Sequence, residues 1–388
     1  MPTRGASVEF RGVSKRYGDT VALADLTLAV PPGEICALVG PSGGGKTTAL
    51  KMVNRLIEPT SGQVVVGGDD VMAVEAVALR RRIGYVIQQV GLFPHRTVEA
   101  NVGTVPELLG WTRERIRDRV RDLLELVGLD PARYAGRYPS ELSGGERQRV
   151  GVARALAAEP PVMLMDEPFA AVDPIVREHL QDEFLRIHER LGPTVLFVTH
   201  DVDEAIKMGD RVAVLQGGRL VQYAPPTELL ERPANDFVAR FVGADRGLKR
   251  LALIAIGDLE LRDVPTARVG APVAAPRDQG GPGPSGRPDA RWVLLLDGRG
   301  RPEGWVNVER AGATALDASM ADPSSPLFTR ATRARDALSQ LMGSGVRTGV
   351  VVEDDGRYAG VVSLDDLVSL LGPVSVREGR GVTLGREA

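Results

Sequence analysis

A glycine-rich segment near the amino terminus has the residue types and the spacing of a phosphate-binding loop. It lies between an apolar run at 35–39, which reads as a buried strand, and a predicted helix from Thr47 to Asn54. Backbone N–H groups in such a loop turn towards phosphate oxygens, Lys46 reaches the outer phosphates, and Thr47 can ligate Mg²⁺. The pattern G-x-x-x-x-G-K-[ST] and the residue after it give the predicted binding set Gly40, Pro41, Ser42, Gly43, Gly44, Gly45, Lys46, Thr47 and Thr48.

Two carboxylates end a second apolar run, Val162-Met163-Leu164-Met165. Asp166 is placed to hold Mg²⁺, directly or through water, and Glu167 is the natural general base for an attacking water. Alone, an acidic strand end is often a helix cap or a solvated turn. Downstream of a phosphate-binding loop, the pair predicts hydrolysis of a nucleoside triphosphate.

A third segment, Leu142 to Gln148, opens a predicted helix with Ser143, Gly144 and Gly145. A serine and two glycines at a helix start make another anion-binding end, because the helix dipole is positive there. One chain therefore carries two such ends.

The elements that position these residues read as a parallel sheet covered by helices. Continuous apolar strands are predicted at 35–39, 162–165, 195–199 and 212–215, while residues 7–30 alternate apolar and polar. A mostly helical insert precedes the 162–165 strand. Its apolar face comprises Ile116, Val120, Leu123, Leu124 and Val127.

The segment Leu142 to Gln148 resembles the LSGGQ signature of ABC ATPases, and further marks of that family follow the family order. These are Tyr17 for adenine stacking, Gln88 in the Q-loop, Ala171-Val172-Asp173 as the D-loop and His200 as the switch histidine. The resemblance covers about residues 6–243. It implies an α/β fold for 1–243, a RecA-like P-loop core with antiparallel β and helical subdomains, the latter at about 89–155.

The resemblance also implies a head-to-tail dimer in which each ATP lies between the P-loop of one copy and Ser143–Gly145 of the other. Gln88 and His200 would be catalytic residues together with Glu167. His200 and Gln88 would contact the γ-phosphate and the Mg²⁺ and water side, Gln88 would also ligate Mg²⁺, and Asp173 would border the nucleotide. Gly44 and Glu146 depart from the usual pattern, which we interpret as tuning rather than loss.

Composition limits the partners and the location of the chain. The net charge is −3, without the basic excess of a nucleic-acid binder, and no apolar run approaches the ~20 residues of a membrane helix. The amino terminus has no apolar stretch that could act as a secretory signal. We therefore expect a peripheral protein on the cytoplasmic face of the membrane. It would work with separate integral-membrane permease subunits and, indirectly, a substrate-binding protein.

The insert itself indicates a transported solute. Residues 88–98 and 101–111 resemble the ATPases of glycine betaine, carnitine and choline importers, so we expect import of a quaternary amine osmoprotectant. Two alternatives stay open: an ABC importer for another small solute, and a soluble ABC protein acting on ribosomes or DNA. The second would need two cassettes in one chain or a coiled-coil insertion.

The region 244–376 resembles a degenerate tandem CBS pair, with a flexible linker predicted at 268–291 and a tail at 377–388. A hairpin pattern recurs in 291–310 and 326–371, which indicates one unit repeated twice. By resemblance, Ser363 and Asp366 would meet a nucleotide or an ion, whereas the first repeat has Arg310 where the carboxylate belongs. The pair either regulates transport or only dimerises and steadies the ATPase.

Overall fold

The computed structural model describes residues 5–88, 91–170, 172–272, 292–308 and 315–371. The chain divides into two compact units, Met1–Ala244 and Asp245–Ala388. In the described part of the chain, no helix is both long and apolar enough to span a bilayer.

The first unit is built on two sheets. Its strands are β1 (Val8–Tyr17), β2 (Thr20–Val30), β3 (Ile35–Val39), β4 (Ser61–Val66), β5 (Asp69–Asp70), β6 (Ile83–Val86), β7 (Val162–Asp166), β8 (Thr194–Val198), β9 (Arg211–Gln216) and β10 (Arg219–Ala224). An antiparallel sheet has the order β2-β1-β4-β5, and a mainly parallel sheet has the order β10-β9-β3-β8-β7-β6. The two sheets share one apolar core, to which both Phe10 and Leu38 belong.

The parallel sheet explains why chemistry gathers at one edge. Strands β3, β7 and β8 are buried at every position, as expected for strands covered on both faces. β8 lies between β3 and β7 and pairs in parallel with both, so the carboxyl ends of all three strands face the same way. The phosphate-binding loop follows β3, and Asp166 ends β7. The predicted parallel sheet is confirmed.

Helices connect these strands and form the insert between β6 and β7. They are α1 (Lys46–Val53), α2 (Ala76–Arg81), α3 (Val98–Val102), α4 (Thr104–Leu108), α5 (Arg113–Leu126), α6 (Pro131–Tyr134), α7 (Gly144–Leu156), α8 (Pro174–Leu191), α9 (Val202–Met208), α10 (Pro226–Glu231) and α11 (Asp236–Phe241). The predicted apolar face of α5 is buried at Val120, Leu123 and Leu124, and Val127 just beyond the helix is buried too. Thr112 caps α5 by accepting a hydrogen bond from Arg115 N.

The second unit contains two small sheets of the same topology. Its elements are α12 (Arg246–Leu251), β11 (Thr266–Arg268), β12 (Trp292–Leu296), β13 (Pro302–Asn307), β14 (Leu327–Thr329), α13 (Ala334–Ser344), β15 (Thr348–Val352), β16 (Tyr358–Ser363) and α14 (Leu364–Ser369). In each sheet the first strand pairs in parallel with the second, and the second pairs antiparallel with the third. Trp305 of one sheet and Val361 of the other pack in one core.

The hairpins of the two sheets match in backbone detail. Each turn holds a glycine with positive φ, 81° at Gly300 and 83° at Gly356. Each third strand has a second such glycine, Gly304 at 145° and Gly360 at 150°. This agreement is what the repeated hairpin pattern in the sequence predicts, since positive φ favours glycine.

The ordered chain extends past the predicted start of the linker at residue 268. Arg268 ends β11, and Val269 N donates a hydrogen bond of 3.0 Å to Leu296 O. Short strands of this kind escape a sequence pattern because three residues carry too little alternation. The rest of the predicted linker, residues 273–291, and Arg310 lie outside the described residues.

Candidate nucleotide site

The loop after β3 needs glycine at two positions. Gly40 has a φ of 144°, and a Cβ there would lie 2.0 Å from Leu215 O. Gly45 has a φ of 91°, and a Cβ there would lie 2.5 Å from Ala22 O. A side chain at either position would force the loop away from the sheet. Gly44, one of the two departures from the family pattern, is buried, and a Cβ there would sit 3.0 Å from Pro41 O.

Lys46 spans this loop from the first turn of α1. Its side chain is buried, and Nζ donates hydrogen bonds to Gly40 O at 2.7 Å and Pro41 O at 2.9 Å. Burial lowers the pKa of Lys46, and the nearby carboxylates Glu167 and Asp166 oppose that shift. The amine is therefore held at the mouth of the loop with acidic groups close by.

Asp166 meets the loop through Thr47. Thr47 Oγ1 donates a hydrogen bond of 3.1 Å to Asp166 Oδ1. Burial raises the pKa of Asp166, and the Thr47 bond acts in the opposite direction. A hydroxyl and a carboxylate at this spacing fit Mg²⁺, which is held in proteins by one or two such oxygens together with substrate phosphates. No group of three or more His, Cys, Asp or Glu residues within the described ranges forms an all-protein metal cage.

Glu167 is held in a strained conformation between two predicted partners. Its φ is 48°, which is uncommon for a residue other than glycine, and its backbone N–H bonds to Val198 O at 2.9 Å. Gln88 Nε2 donates to Glu167 Oε2 at 2.9 Å. His200 Nδ1 lies 3.6 Å from Glu167 Oε1. Gln88 and His200 thus both lie against the carboxylate of Glu167, the third residue predicted to act in hydrolysis.

The second anion-binding end begins helix α7. Ser143 is its N-cap, and Ser143 Oγ accepts a hydrogen bond of 3.3 Å from Glu146 N. Glu146 returns a bond, since its Oε2 accepts from Ser143 N at 2.7 Å. At Gly144 a Cβ would meet nothing within 4 Å, and at Gly145 only Val176 Cγ1 at 3.4 Å. Neither glycine has a positive φ, so no backbone strain or close contact among the described residues requires a glycine at these two positions.

Comparison with known proteins identifies the family. Residues 23–170 match the family described as "ABC transporter", and residues 323–372 match the CBS domain. Over 361 residues the chain is 46% identical to the osmoprotectant import ATP-binding protein OsmV of Salmonella typhimurium, covering 92% of this chain and 93% of OsmV. It is 41% identical to the glycine betaine/carnitine/choline transport ATP-binding protein OpuCA of Bacillus subtilis, with 92% and 94% covered.

The chain belongs to the ATP-binding proteins of ABC transporters.

A solved structure agrees with this assignment. The dimeric post-hydrolysis structure of the ATP-binding cassette MJ0796, bound to ADP and Pi, is 33% identical and has a TM-score of 0.51. It covers 56% of this chain and 98% of the cassette. The predicted fold class and the predicted ATPase family are confirmed, and the Met1–Ala244 unit is the ATP-binding and hydrolysing part of the ABC protein.

Two further residues predicted from the ABC pattern, Tyr17 and Asp173, are exposed. Tyr17 ends β1 with half of its side chain exposed, and Lys15 Nζ lies 5.0 Å from its ring centroid. Asp173 is exposed just before α8, where Asp173 O accepts a hydrogen bond of 2.8 Å from Arg177 N. An exposed aromatic ring and an exposed acidic turn suit the predicted contacts with a nucleotide or a partner. The D-loop residue Ala171 lies outside the described residues.

Two contacts of the ABC helix α7 were not foreseen from the sequence. Tyr134 Oη donates to Glu146 Oε1 at 2.6 Å, and Arg154 donates to Gly91 O at 2.7 Å. The only local signal was the S-x-x-E spacing of Ser143 and Glu146, which is typical of a capping box. The tyrosine and the arginine meet their partners across 12 and 63 residues, a separation at which spacing carries no information.

In the second unit, Asp245–Ala388, which we call the CBS-like unit, Ser363 and Asp366 are hydrogen-bonded to each other. Ser363 Oγ donates to Asp366 Oδ2 at 2.6 Å, and Ser363 N donates to the same oxygen at 2.9 Å. The other oxygen, Oδ1, is paired with Arg262. Both oxygens of the carboxylate predicted to meet a nucleotide are therefore engaged by the protein's own groups.

Proposed function

We propose that the chain is the ATPase of an importer for quaternary amine osmoprotectants and that it works as a head-to-tail dimer. Two copies would close around two ATP molecules. Each ATP would lie between the loop Gly40–Thr48 of one copy and the Ser143–Gly145 helix start of the other. The observation that carries the dimer is the open helix start. Among the described residues, a Cβ at Gly144 would meet nothing within 4 Å and one at Gly145 only Val176 Cγ1 at 3.4 Å, so the local packing leaves room for a side chain at both helix-weakening glycines.

The electrostatics favour closure around a nucleotide. A triphosphate carries about four negative charges, and one loop with Lys46 neutralises only part of them. A second helix amino end supplied by the partner adds about half a positive charge on the other side of the triphosphate. Because ATP binds the closed pair more tightly than the open one, ATP itself stabilises the closed state. Loss of the γ-phosphate removes contacts to Ser143 and His200, and the pair opens.

We assign the hydrolytic roles residue by residue. Glu167 accepts a proton from the attacking water, Gln88 orients the Glu167 carboxylate and the water, and His200 contacts the γ-phosphate. Thr47 and Asp166, with Gln88 nearby, would hold Mg²⁺, which supplies charge neutralisation when bound. Tyr17 would stack on the adenine, and Asp173 would border the nucleotide across the dimer. The strained backbone of Glu167 supports this reading, since such strain concentrates at functional sites.

A groove lined by Tyr85, Phe93 and Ala155 supports a permease partner. The groove has a volume of about 250 Å³, and both apolar and arginine side chains line it. Tyr85 belongs to β6, Phe93 to the insert and Ala155 to α7. A short helix of a membrane-embedded permease would seat here, with the protein on the cytoplasmic face of the membrane.

The solute is proposed from the relatives. OsmV and OpuCA are named for import of an osmoprotectant and for transport of glycine betaine, carnitine and choline. Both resemble this chain along more than nine tenths of their length.

Reconstitution tests the proposal. The chain, its permease subunits and their substrate-binding protein are assembled in vesicles and supplied with ATP and labelled quaternary amines. We expect ATP-dependent uptake of at least one betaine, choline or carnitine. Uptake of another small solute only would favour the broader importer reading. Copurification with ribosomes or DNA, without any integral-membrane partner, would reject transport.

The CBS-like unit has two candidate roles, regulation by a nucleotide or by ionic strength, and mechanical support. Its surface ion pairs, such as Arg330 with Glu353 and Arg347 with Asp365, favour a salt-sensitive role because exposed pairs are screened by salt. Removal of residues 245–388 should change how ATPase activity responds to salt. An unchanged salt profile would leave support as the role.

A further inference from the structure

The position of Ser143 depends on one carboxylate. Glu146 follows Ser143 by three residues, and its Oε2 accepts a hydrogen bond of 2.7 Å from Ser143 N. Because Glu146 N in turn donates to Ser143 Oγ, the hydroxyl hydrogen of Ser143 is directed elsewhere and is free to donate to a phosphate. Ser143 therefore presents its donor only while Glu146 keeps this orientation.

Glu146 is itself held by Tyr134. The phenol donates to Glu146 Oε1 at 2.6 Å, from a ring that is 8% exposed. The hydrogen bond from Tyr134, together with the one from the Ser143 amide, lowers the pKa of Glu146 to about 2. Glu146 is thus ionised at any physiological pH, and each of its oxygens has a fixed donor. Guanidinium groups of Arg133 and Arg137 lie 5.2 and 5.0 Å from the Tyr134 ring centroid and keep the ring in place.

The segment that carries Tyr134 is attached to the start of α3. Val98 N donates to Arg137 O at 2.8 Å, and Glu99 N donates to Ala135 O at 2.9 Å. These bonds satisfy amino-terminal N–H groups of α3 that the helix itself leaves without partners.

The residues just before α3 are fixed to the same helix. The fully buried Asn101 donates through Nδ2 to the carbonyl oxygens of Phe93, Arg96 and Thr97 at 3.0–3.1 Å. Phe93 lines the groove to which Tyr85 and Ala155 also contribute. A continuous set of hydrogen bonds therefore runs from this groove through α3 and Tyr134 to Ser143.

We propose that Tyr134 is a positioning residue that fixes the signature serine, through Glu146, to the part of the insert that faces the permease. This proposal rests on the proposed function, because it assumes that Ser143 meets the ATP bound to the partner. A displacement of the groove segment would be transmitted to Ser143 as a rigid unit. Removing the phenol hydroxyl would leave the Glu146 carboxylate with the Ser143 amide as its remaining donor in the capping box, so the direction in which Ser143 is held would be less fixed.

The test measures ATP turnover of the full chain reconstituted with its permease, for Tyr134→Phe, Glu146→Ala and the double variant. We expect kcat to fall about tenfold for Tyr134→Phe, since a hydrogen bond to a charged group is lost. Glu146→Ala should fall further, and the double variant should be no worse than Glu146→Ala because the two side chains act as one unit. ADP affinity should stay unchanged, since ADP lacks the phosphate that Ser143 would contact.

Conservative variants separate positioning from folding. Glu146→Gln should stay within about twofold of the parent, because the amide oxygen can accept from Ser143 N while the amide nitrogen donates to Tyr134. Tyr138→Phe is the matched control, since its side chain is 45% exposed on the same segment. We expect it to leave kcat unchanged.

The outcomes distinguish this inference from the proposed function. An unchanged kcat in Tyr134→Phe, or a fall in kcat accompanied by an equal fall in ADP affinity, overturns the role of Tyr134. Ser143→Ala serves as the reference. If Ser143→Ala also leaves kcat unchanged, the shared nucleotide site itself is wrong; if it lowers kcat while Tyr134→Phe does not, only the positioning role fails.

Discussion

Helices α7 and α14 begin with the same local device in the two units. Ser143 and Glu146 form a capping box at α7, and Ser363 and Asp366 form one at α14. The residues between them differ: two glycines in the ATPase unit, against Leu364 and an aspartate in the CBS-like unit. The first helix start is open on its outer face, whereas the second carboxylate is covered by Arg262.

This difference indicates that a binding motif is recognised by the hydrogen-bonding groups that it leaves accessible to a ligand. In the ATPase unit, small residues keep the helix N–H groups accessible, and a strained backbone presents Glu167. The capping carboxylates themselves do not differ, because Glu146 and Asp366 each have a protein partner for both oxygens. The difference lies in the two residues after the capping serine, which are glycines at α7 and Leu364 and Asp365 at α14. The following experiments challenge that contrast.

Glu167→Gln should have the largest effect. Turnover should fall about 10²–10⁴-fold, equivalent to roughly 2.7–5.5 kcal/mol, while ATP binding is retained, because the amide cannot accept the proton from water. The measurement is steady-state phosphate release alongside equilibrium nucleotide binding. Glu189→Gln, on the exposed face of α8, is the matched control. Near-normal turnover in Glu167→Gln would show that the base is misassigned.

Gly145→Ala should separate folding from function at the open helix start. Alanine has the higher helix propensity, so we expect thermal stability to stay level or to rise by about 0.5 kcal/mol. Turnover should fall roughly 10- to 100-fold, because a methyl group would stand where the partner's nucleotide approaches. Gly343→Ala in α13, where a Cβ meets nothing within 4 Å, should stabilise without changing turnover. Equal turnover in both variants would contradict an open site at α7.

Ser363→Ala should affect stability alone. Loss of the cap of α14 should lower the free energy of unfolding of the CBS-like unit by about 1 kcal/mol. ATP turnover and the number of nucleotides bound per chain should not change, since Asp366 is already paired within the protein. Thermal unfolding and equilibrium dialysis with ATP measure the two quantities. A loss of one bound nucleotide per chain would show that the second helix start is a ligand site after all.

The smallest expected effect concerns acid stability. The pKa of Glu146 is lowered to about 2 in the folded chain, so its ionised form stabilises the fold above the unfolded value of about 4.5. That contribution is lost as the pH falls from about 4.5 towards 2. Glu146→Gln should therefore lose less stability over this window than the parent chain, as measured by urea unfolding at each pH. Parallel losses would mean that Tyr134 does not hold the carboxylate.

The sequence predicts most of the ATPase architecture because its signals are local. The strand Ile35–Val39 has the predicted bounds, and the glycines of the loop follow from spacing alone. Gln88 and His200 were singled out from the family pattern, whereas their contacts with Glu167 are seen only in the structure. In the CBS-like unit, the hairpin repeat was also readable, since its turn glycines recur at matching places.

What the sequence did not reveal depends on contacts between distant residues. Arg262 reaches Asp366 across 104 residues, and Tyr134 reaches Glu146 from a different helix. The left-handed backbone of Glu167 is set by the bond to Val198 O on a neighbouring strand. The strand Thr266–Arg268 exists because β12 offers it an edge. Neither the spacing of residues nor their secondary-structure propensity predicts any of these features.

The two hairpins of the CBS-like unit have matching glycine conformations and therefore similar backbones. Gly300 with Gly304 and Gly356 with Gly360 draw the chain along one path, so side chains transplanted between the hairpins would meet an unchanged backbone. Any difference in what the two hairpins contact must therefore come from their side chains and not from the path of their backbones.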